Sequence, residues 1–205
     1  MRNGDLIQRA SRGEARAFSQ LVQEHSALVY RVALRMLGPK EAQDASQEVW
    51  IRVWRSIKEF RGDSAFSTWL YKITVNTCLN AREKELRREM RELREELPFL
   101  PEPSGGEHDP EATTLGRERK EELATNLQQL RAEHRAALVL RHMEGLGYTE
   151  ISDILEVPEG TAKGWVSRGR AALLVLLSEE SADGRDGNGQ GVTRPDGYVQ
   201  DEDGS

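Results

Sequence analysis

The chain has 205 residues, 37% hydrophobic and 31% charged, with a formal net charge of −6, a length that suits two small domains, each near the size where a core becomes marginal. No stretch reaches the roughly 18 apolar residues of a membrane span, and Met1-Arg2-Asn3-Gly4-Asp5 leads into an amphipathic segment rather than an apolar secretory core, so no membrane insertion and a cytoplasmic location are expected. The single cysteine, Cys78, excludes an intrachain disulfide, and His25, His108, His134 and His142 lack metal-ligand spacing, so neither metal nor cofactor is expected.

Apolar residues recur at Phe18, Leu21, Val22, Leu28, Val29, Val32 and Met36, the spacing of an amphipathic helix, which Gly38-Pro39 ends. A second helix carries Ala42, Ala45, Val49, Val53 and Ile57 and is expected to run to Phe60. The turn signal Arg61-Gly62-Asp63-Ser64 follows, with Asp63 or Ser64 as candidate N-cap of a third helix from about Ala65 into the nineties. Phe66, Leu70, Ile73 and Thr77 share one side of that helix. Its later part, Arg82 to Glu96, is nearly all charged and should project into solvent.

Pro98, Pro101, Pro103, Gly105, Gly106 and Pro110 fall within thirteen residues and mark a linker. Helical periodicity resumes near Leu115 and continues to Met143, where Glu144-Gly145-Leu146-Gly147 breaks it. A short helix (148–155), a turn at Glu156-Val157-Pro158-Glu159 and a longer helix (160–177) follow. The fold class is thus all-α: an N-terminal helical bundle (1–96), a flexible linker (97–114), a C-terminal helix-turn-helix domain (115–177) and an acidic tail (178–205) expected to be disordered. That tail holds eight acids against Arg185 and Arg194, so it accounts for the whole net charge, and the body is neutral. Within the body, 52–94 is locally basic, and 160–177 carries Lys163, Arg168 and Arg170 without an acid; such patches matter more for phosphate contact than overall charge does.

A short helix, a tight turn and a second helix with a basic face is the plan in which the second helix enters the major groove. Ile151, Ile154 and Leu155 are placed to pack against Ala162, Val166 and Leu173, which turns Thr161, Lys163, Gly164, Ser167, Arg168 and Arg170 outward. Pattern alone leaves a solvated packing hairpin open beside DNA binding.

The run Phe60-Arg61-Gly62-Asp63-Ser64-Ala65-Phe66-Ser67-Thr68-Trp69-Leu70-Tyr71-Lys72-Ile73-Thr74-Val75-Asn76-Thr77 resembles the promoter-melting segment of extracytoplasmic-function (ECF) sigma factors. Just upstream, Asp44-Ala45-Ser46-Gln47-Glu48-Val49 is similar to the same family's polymerase-binding signature, and 130–174 resembles its second conserved domain through Leu140-Arg141, Gly145-Leu146, Tyr148, Glu150-Ile151, Pro158, Gly160-Thr161 and Arg168-Gly169-Arg170. The resemblance implies that Asp44, Gln47 and Glu48 meet the clamp helices of the largest subunit of core RNA polymerase. It implies that Phe60, Arg61, Gly62, Asp63, Ser64, Ala65 and Phe66 capture a base flipped from the melted promoter DNA, with Trp69, Lys72 and Asn76 beside them on the single strand. Arg141, Tyr148, Thr149, Lys163, Gly164, Ser167 and Arg168 align with positions that contact the upstream element, and an anti-sigma protein is an implied partner. Ala162 stands where valine is common and Trp165 where arginine is frequent; Trp165 is expected at the edge of the core.

Trp50, Trp54 and Trp69 are candidate core residues, Trp69 also flanking the DNA groove; His134 and His142 read as helix surface, and Cys78 as a small buried residue. A free-standing helix-turn-helix regulator with an N-terminal protein-interaction domain is the rival reading, although no heptad seam supplies the dimer it needs. No nucleophile and base set, Gly-rich phosphate loop or paired carboxylates argue for an enzyme.

Overall fold

The structure, a computed structural model, describes residues 2–95 and 123–186. The linker expected at 97–114 and the part of the tail from 187 onward lie outside the described residues. In chain order the elements are α1 (Arg2–Ser11), α2 (Ala15–Leu37), α3 (Pro39–Ser56), a short 3-10 turn (Ile57–Glu59), α4 (Phe66–Glu95), α5 (123–129), α6 (Ala132–Leu138) widening into a π turn (Val139–Met143), α7 (Tyr148–Leu155) and α8 (Glu159–Asp186). All regular structure among the described residues is helical.

The break between α2 and α3 follows from two adjacent residues. Gly38 adopts φ +87°, which a side chain would resist, and its N–H closes α2 on the Leu34 carbonyl; Pro39 then opens α3 at a position where no N–H is needed. The second helix is shorter than its periodicity suggests. It ends at Ser56, the chain tightens through Ile57–Glu59, and the turn signal acts on an extended Phe60. α4 begins at Phe66, so Ala65 rather than Asp63 or Ser64 flanks it.

Leu6, Ala10, Leu21, Val29, Val49, Val53, Ile57 and Leu70 bury one core among α1 to α4. A second, wholly within the C-terminal half, joins Leu127, Leu130 and Leu138 to the inner face of α8 at Ala172, Leu173 and Leu176. Leu173 therefore serves this cluster and not the α7 contact expected of it. A third cluster runs across both halves, from Val32, Met36, Tyr71, Val75 and Cys78 to Ala136, Leu140, Ile151, Ile154, Ala162 and Val166, with Trp165 at its edge as expected. The two halves are thus packed together rather than merely tethered. α8 stays helical to Asp186, past the expected start of the tail at Ser178, because 178–183 contains no residue that breaks a helix; the first glycine there is Gly184.

α6 and α8 cross closely. A β-carbon at Gly169 would stand 2.9 Å from the His134 carbonyl oxygen, whereas one at Gly164 would meet only the Arg168 guanidinium, at 3.2 Å. Gly169→Ala should therefore lower the stability of the fold by about 1–3 kcal/mol through overpacking, while Gly164→Ala should raise it by up to about 1 kcal/mol through helix propensity. Urea denaturation of the two variants checks the opposite signs.

Candidate nucleic-acid interface

The promoter-melting candidates lie on the loop before α4 and on its first turns. Phe60, Phe66 and Trp69 pack mutually at 5.3–5.6 Å between ring centroids, Phe60 edge-on to Phe66. Phe66 is 7% exposed and props the loop from beneath, while Phe60 and Trp69 are half-buried and keep one side open. Arg61, Gly62, Asp63, Ser64 and Ala65 are exposed, and Gly62 takes φ +79° at the bend. A cleft of about 370 Å³ opens between Phe60, Arg61, Asp63, Ser64, Trp69 and Lys72 on one side and Asp153 and Ile154 of α7 on the other. An aromatic wall with polar groups at its rim suits a base that has left its stack. Lys72 and Asn76 continue the face one and two turns along α4, both half-buried, and the Lys72 ammonium lies 2.7 Å from Glu156.

The polymerase-facing candidates sit on α3, where spacings of three and four residues put Asp44, Gln47 and Glu48 on one face. Asp44 and Gln47 are exposed; Glu48 is half-buried and paired with Arg52 at 2.8 Å. Asp44 and Glu48 line a groove of about 1100 Å³ between α3 and α4.

In the second half the π turn bonds Glu144 N–H to the Val139 carbonyl, five residues back, and aims Arg141 at the start of α7. The Arg141 guanidinium sits 4.7 Å from the Tyr148 ring centre and donates to the Leu146 carbonyl at 2.9 Å; Lys163 approaches the same ring at 5.5 Å. Such cation–π contacts hold a cation in place without neutralising it. Glu150 accepts the Gly147 N–H at the head of α7. At its tail Glu156 adopts the left-handed conformation, φ 55°, with Ser152 bonded across the turn to Val157. Glu159 ties the two helices, pairing with Lys163 at 2.6 Å and accepting from Thr149 at 3.1 Å; the Lys163 bond first, then Thr149, holds its carboxyl below the usual range.

Lys163, Ser167, Arg168, Arg170 and Thr149 are exposed, and Thr161, Gly164, Tyr148 and Arg141 are half-buried. Arg168 folds back over Gly164 toward His134, whose imidazole is held below its ordinary pKa by burial first and then by Arg168 and Arg131. Each set of candidates is locally contiguous, and the downstream set abuts α7. Trp54 is 40% exposed and stacks edge-on to Phe18 at 4.7 Å, so it is not core. Cys78 is fully buried, which pushes its thiol up to about 12.

Sequence reasoning did not find the residues that join the halves. Glu144, its side chain 2% exposed, accepts from Arg31 at 2.7 and 3.1 Å, from Arg35 at 2.8 Å and from the Tyr71 hydroxyl at 2.8 Å. Burial alone would raise its carboxyl, but the bonds from Arg31 and Tyr71 outweigh it and the net shift is downward. Its stabilisation is therefore complete above the ordinary carboxylate pKa and is lost as pH falls through the depressed one. Tyr71 is shifted upward, by burial first and by Glu144 second. Arg135, 1% exposed, donates to the Met36 carbonyl, to the Gln128 side chain and to the Gln128 and Leu130 carbonyls; burial, then Arg82, lowers it to about 10. The only signal for these residues was an acid inside a loop and an arginine on an apolar helix face, which single-chain patterning cannot pair.

Residues 21–89 match Sigma-70 region 2 and residues 120–173 match Sigma-70, region 4. The chain is 35% identical over 177 residues to the RNA polymerase sigma-H factor of Pseudomonas aeruginosa, and 33% identical over 172 residues to the ECF RNA polymerase sigma-E factor of Escherichia coli; each match covers 82% of this chain and 90% of the relative. The fold is similar to that of CnrH in complex with the cytosolic domain of CnrY, at TM-score 0.60 and 24% identity, covering 85% of this chain and 96% of CnrH. It is also similar to that of the sigma factor RpoE in complex with the anti-sigma factor NepR from Bartonella quintana, at TM-score 0.59 and 23% identity, covering 78% and 96%. The region 2 match removes the premise of a free-standing regulator, whose N-terminal half would be an unrelated interaction domain. With both conserved regions in order on one helical chain, this protein belongs to the sigma-70 family, among the ECF sigma factors.

Proposed function

We propose a division of labour for this non-enzymatic transcription initiation factor. The α3 face of Asp44, Gln47 and Glu48 docks on the clamp helices of core RNA polymerase. The cleft at Phe60 to Ser64 takes a base from the melted downstream element, and Trp69, Lys72 and Asn76 follow the single strand. The helix-turn-helix reads upstream duplex with Lys163, Ser167, Arg168 and Arg170, with Gly164 allowing close approach and Arg141, Tyr148, Thr149 and Thr161 at its border. In this reading 1–96 is the melting domain, 97–114 the linker, 115–177 the upstream reader and 178–205 an acidic tail that initiation does not need. The protein acts in the cytoplasm and is bound by an anti-sigma protein, as RpoE is in complex with NepR in the solved structure.

The observation that carries the reading is the half-open aromatic wall of Phe60 and Trp69 continuing directly into Lys72 and Asn76 on one helix. A stacking surface beside a cation is what a melted strand needs. Run-off transcription with core polymerase and a pooled promoter library tests it: the chain should yield discrete transcripts, and none at any promoter would refute it.

Phe60→Ala and Asn76→Ala should each impair promoter opening, at about 1–3 kcal/mol for a lost stacking or base-edge contact, while core binding is kept. Permanganate footprinting of the melted thymines reads this directly. Unchanged reactivity in both variants would remove the cleft from the mechanism. The isolated chain, with its neutral body, should bind promoter duplex weakly and gain specificity only with core polymerase, which a gel shift with and without core measures.

A further inference from the structure

The contacts between the halves use up groups that the melted strand needs. Lys72, on the single-strand face, is paired with Glu156 of the helix-turn-helix at 2.7 Å. Asp153 and Ile154 of α7 form a wall of the cleft at Phe60, so an acid faces the opening meant for a polyanion. Four residues before α7 begins, Glu144 ties this end of the helix-turn-helix down: its carboxylate takes its three side-chain partners, Arg31, Arg35 and Tyr71, all from the first half. Arg135 and Gln128 add a second clasp on the end of α2. They satisfy the Met36 and Arg35 carbonyls, which the helix leaves without intrahelical donors.

We propose that Glu144 is a latch holding the free chain closed, with its single-strand face masked by its own helix-turn-helix domain, and that release of this latch is a step distinct from folding. Each half keeps a core of its own when the latch opens, at Leu21, Val49 and Leu70 in the first and at Leu127, Leu130 and Leu138 in the second. Opening uncovers the shared apolar cluster, so the closed form dominates until binding energy from polymerase and DNA favours the open one. The proposal rests on the assignment of Lys72 and the Phe60 cleft to the melted strand.

Two variants of the full chain test it, with fluorescein-labelled short single-stranded DNA of randomised sequence as the probe. Glu144→Gln keeps the volume and loses the charge. Arg31→Ala combined with Arg35→Ala removes two cations, which by simple electrostatics weakens DNA binding. Both should instead bind the probe at least about tenfold more tightly than the parent in fluorescence anisotropy, with a larger hydrodynamic radius and an unchanged far-ultraviolet helical signal. Adding Lys72→Ala should abolish the gain. Glu24→Gln, the same charge change at an exposed site of α2, should do nothing. Tighter binding by Glu144→Gln with weaker binding by the arginine pair would be a charge effect and would overturn the latch, as would an unchanged radius in both. If the alanine pair loses helix, the isosteric Glu144→Gln against Glu24→Gln decides. Run-off transcription by the parent chain is independent of the latch, so it separates failure of this proposal from failure of the sigma-factor assignment.

Discussion

A single carboxylate, almost without access to water, organises the relation between the two halves of this protein. Four hydrogen bonds reach Glu144, which fills the acceptor sites of an ionised carboxylate. Burying one charge costs several kcal/mol, and only close partners offset it. Arg31 and Arg35 remain partly in water, so they lose less solvation than Glu144 does and tolerate its departure. That asymmetry suits the proposed latch. The Lys72–Glu156 pair, the shared apolar cluster and the Arg135 clasp span the same boundary beside it.

The helix-turn-helix is shaped by local geometry that serves the same end. The π turn places Glu144 at the tip of its helix and Arg141 against Tyr148, so one irregular turn supplies both the inter-half contact and the edge of the proposed DNA surface. π turns often mark functional positions in helices. Glu156 holds a left-handed conformation that costs a residue with a β-carbon about 1–2 kcal/mol. A glycine would be easier there, but it would leave Lys72 unpaired. The turn residue thus contributes to closure as well as to the bend.

Much of this was legible in the sequence because much of it is local. Periodicity placed α2, α3, α4, α7 and α8, and Gly38-Pro39 marked a helix end with φ and N–H arguments that need no tertiary contact. The loop before α4 and the α3 face were legible as motifs. What escaped was non-local. Leu173 left α7 for the Leu127 cluster because α8 faces two different neighbours along its length. Phe66 was grouped with the loop it supports, since a buried prop and an exposed reader carry the same letter. Glu144, Arg31 and Arg35 lie more than a hundred residues apart in sequence across an expected linker, and a linker conceals which faces meet.

The central claim is that the free chain is closed and the initiating chain is open. Dyes on Glu24→Cys and Ala171→Cys, both at exposed positions on opposite halves, report it by energy transfer. Labelling is done on the free chain, where burial removes access to Cys78 and pushes its thiol up to about 12. The free protein should show one compact, high-transfer state, and addition of core polymerase with promoter DNA should move it to low transfer. Equal transfer in the free chain and in the initiation complex would contradict the account.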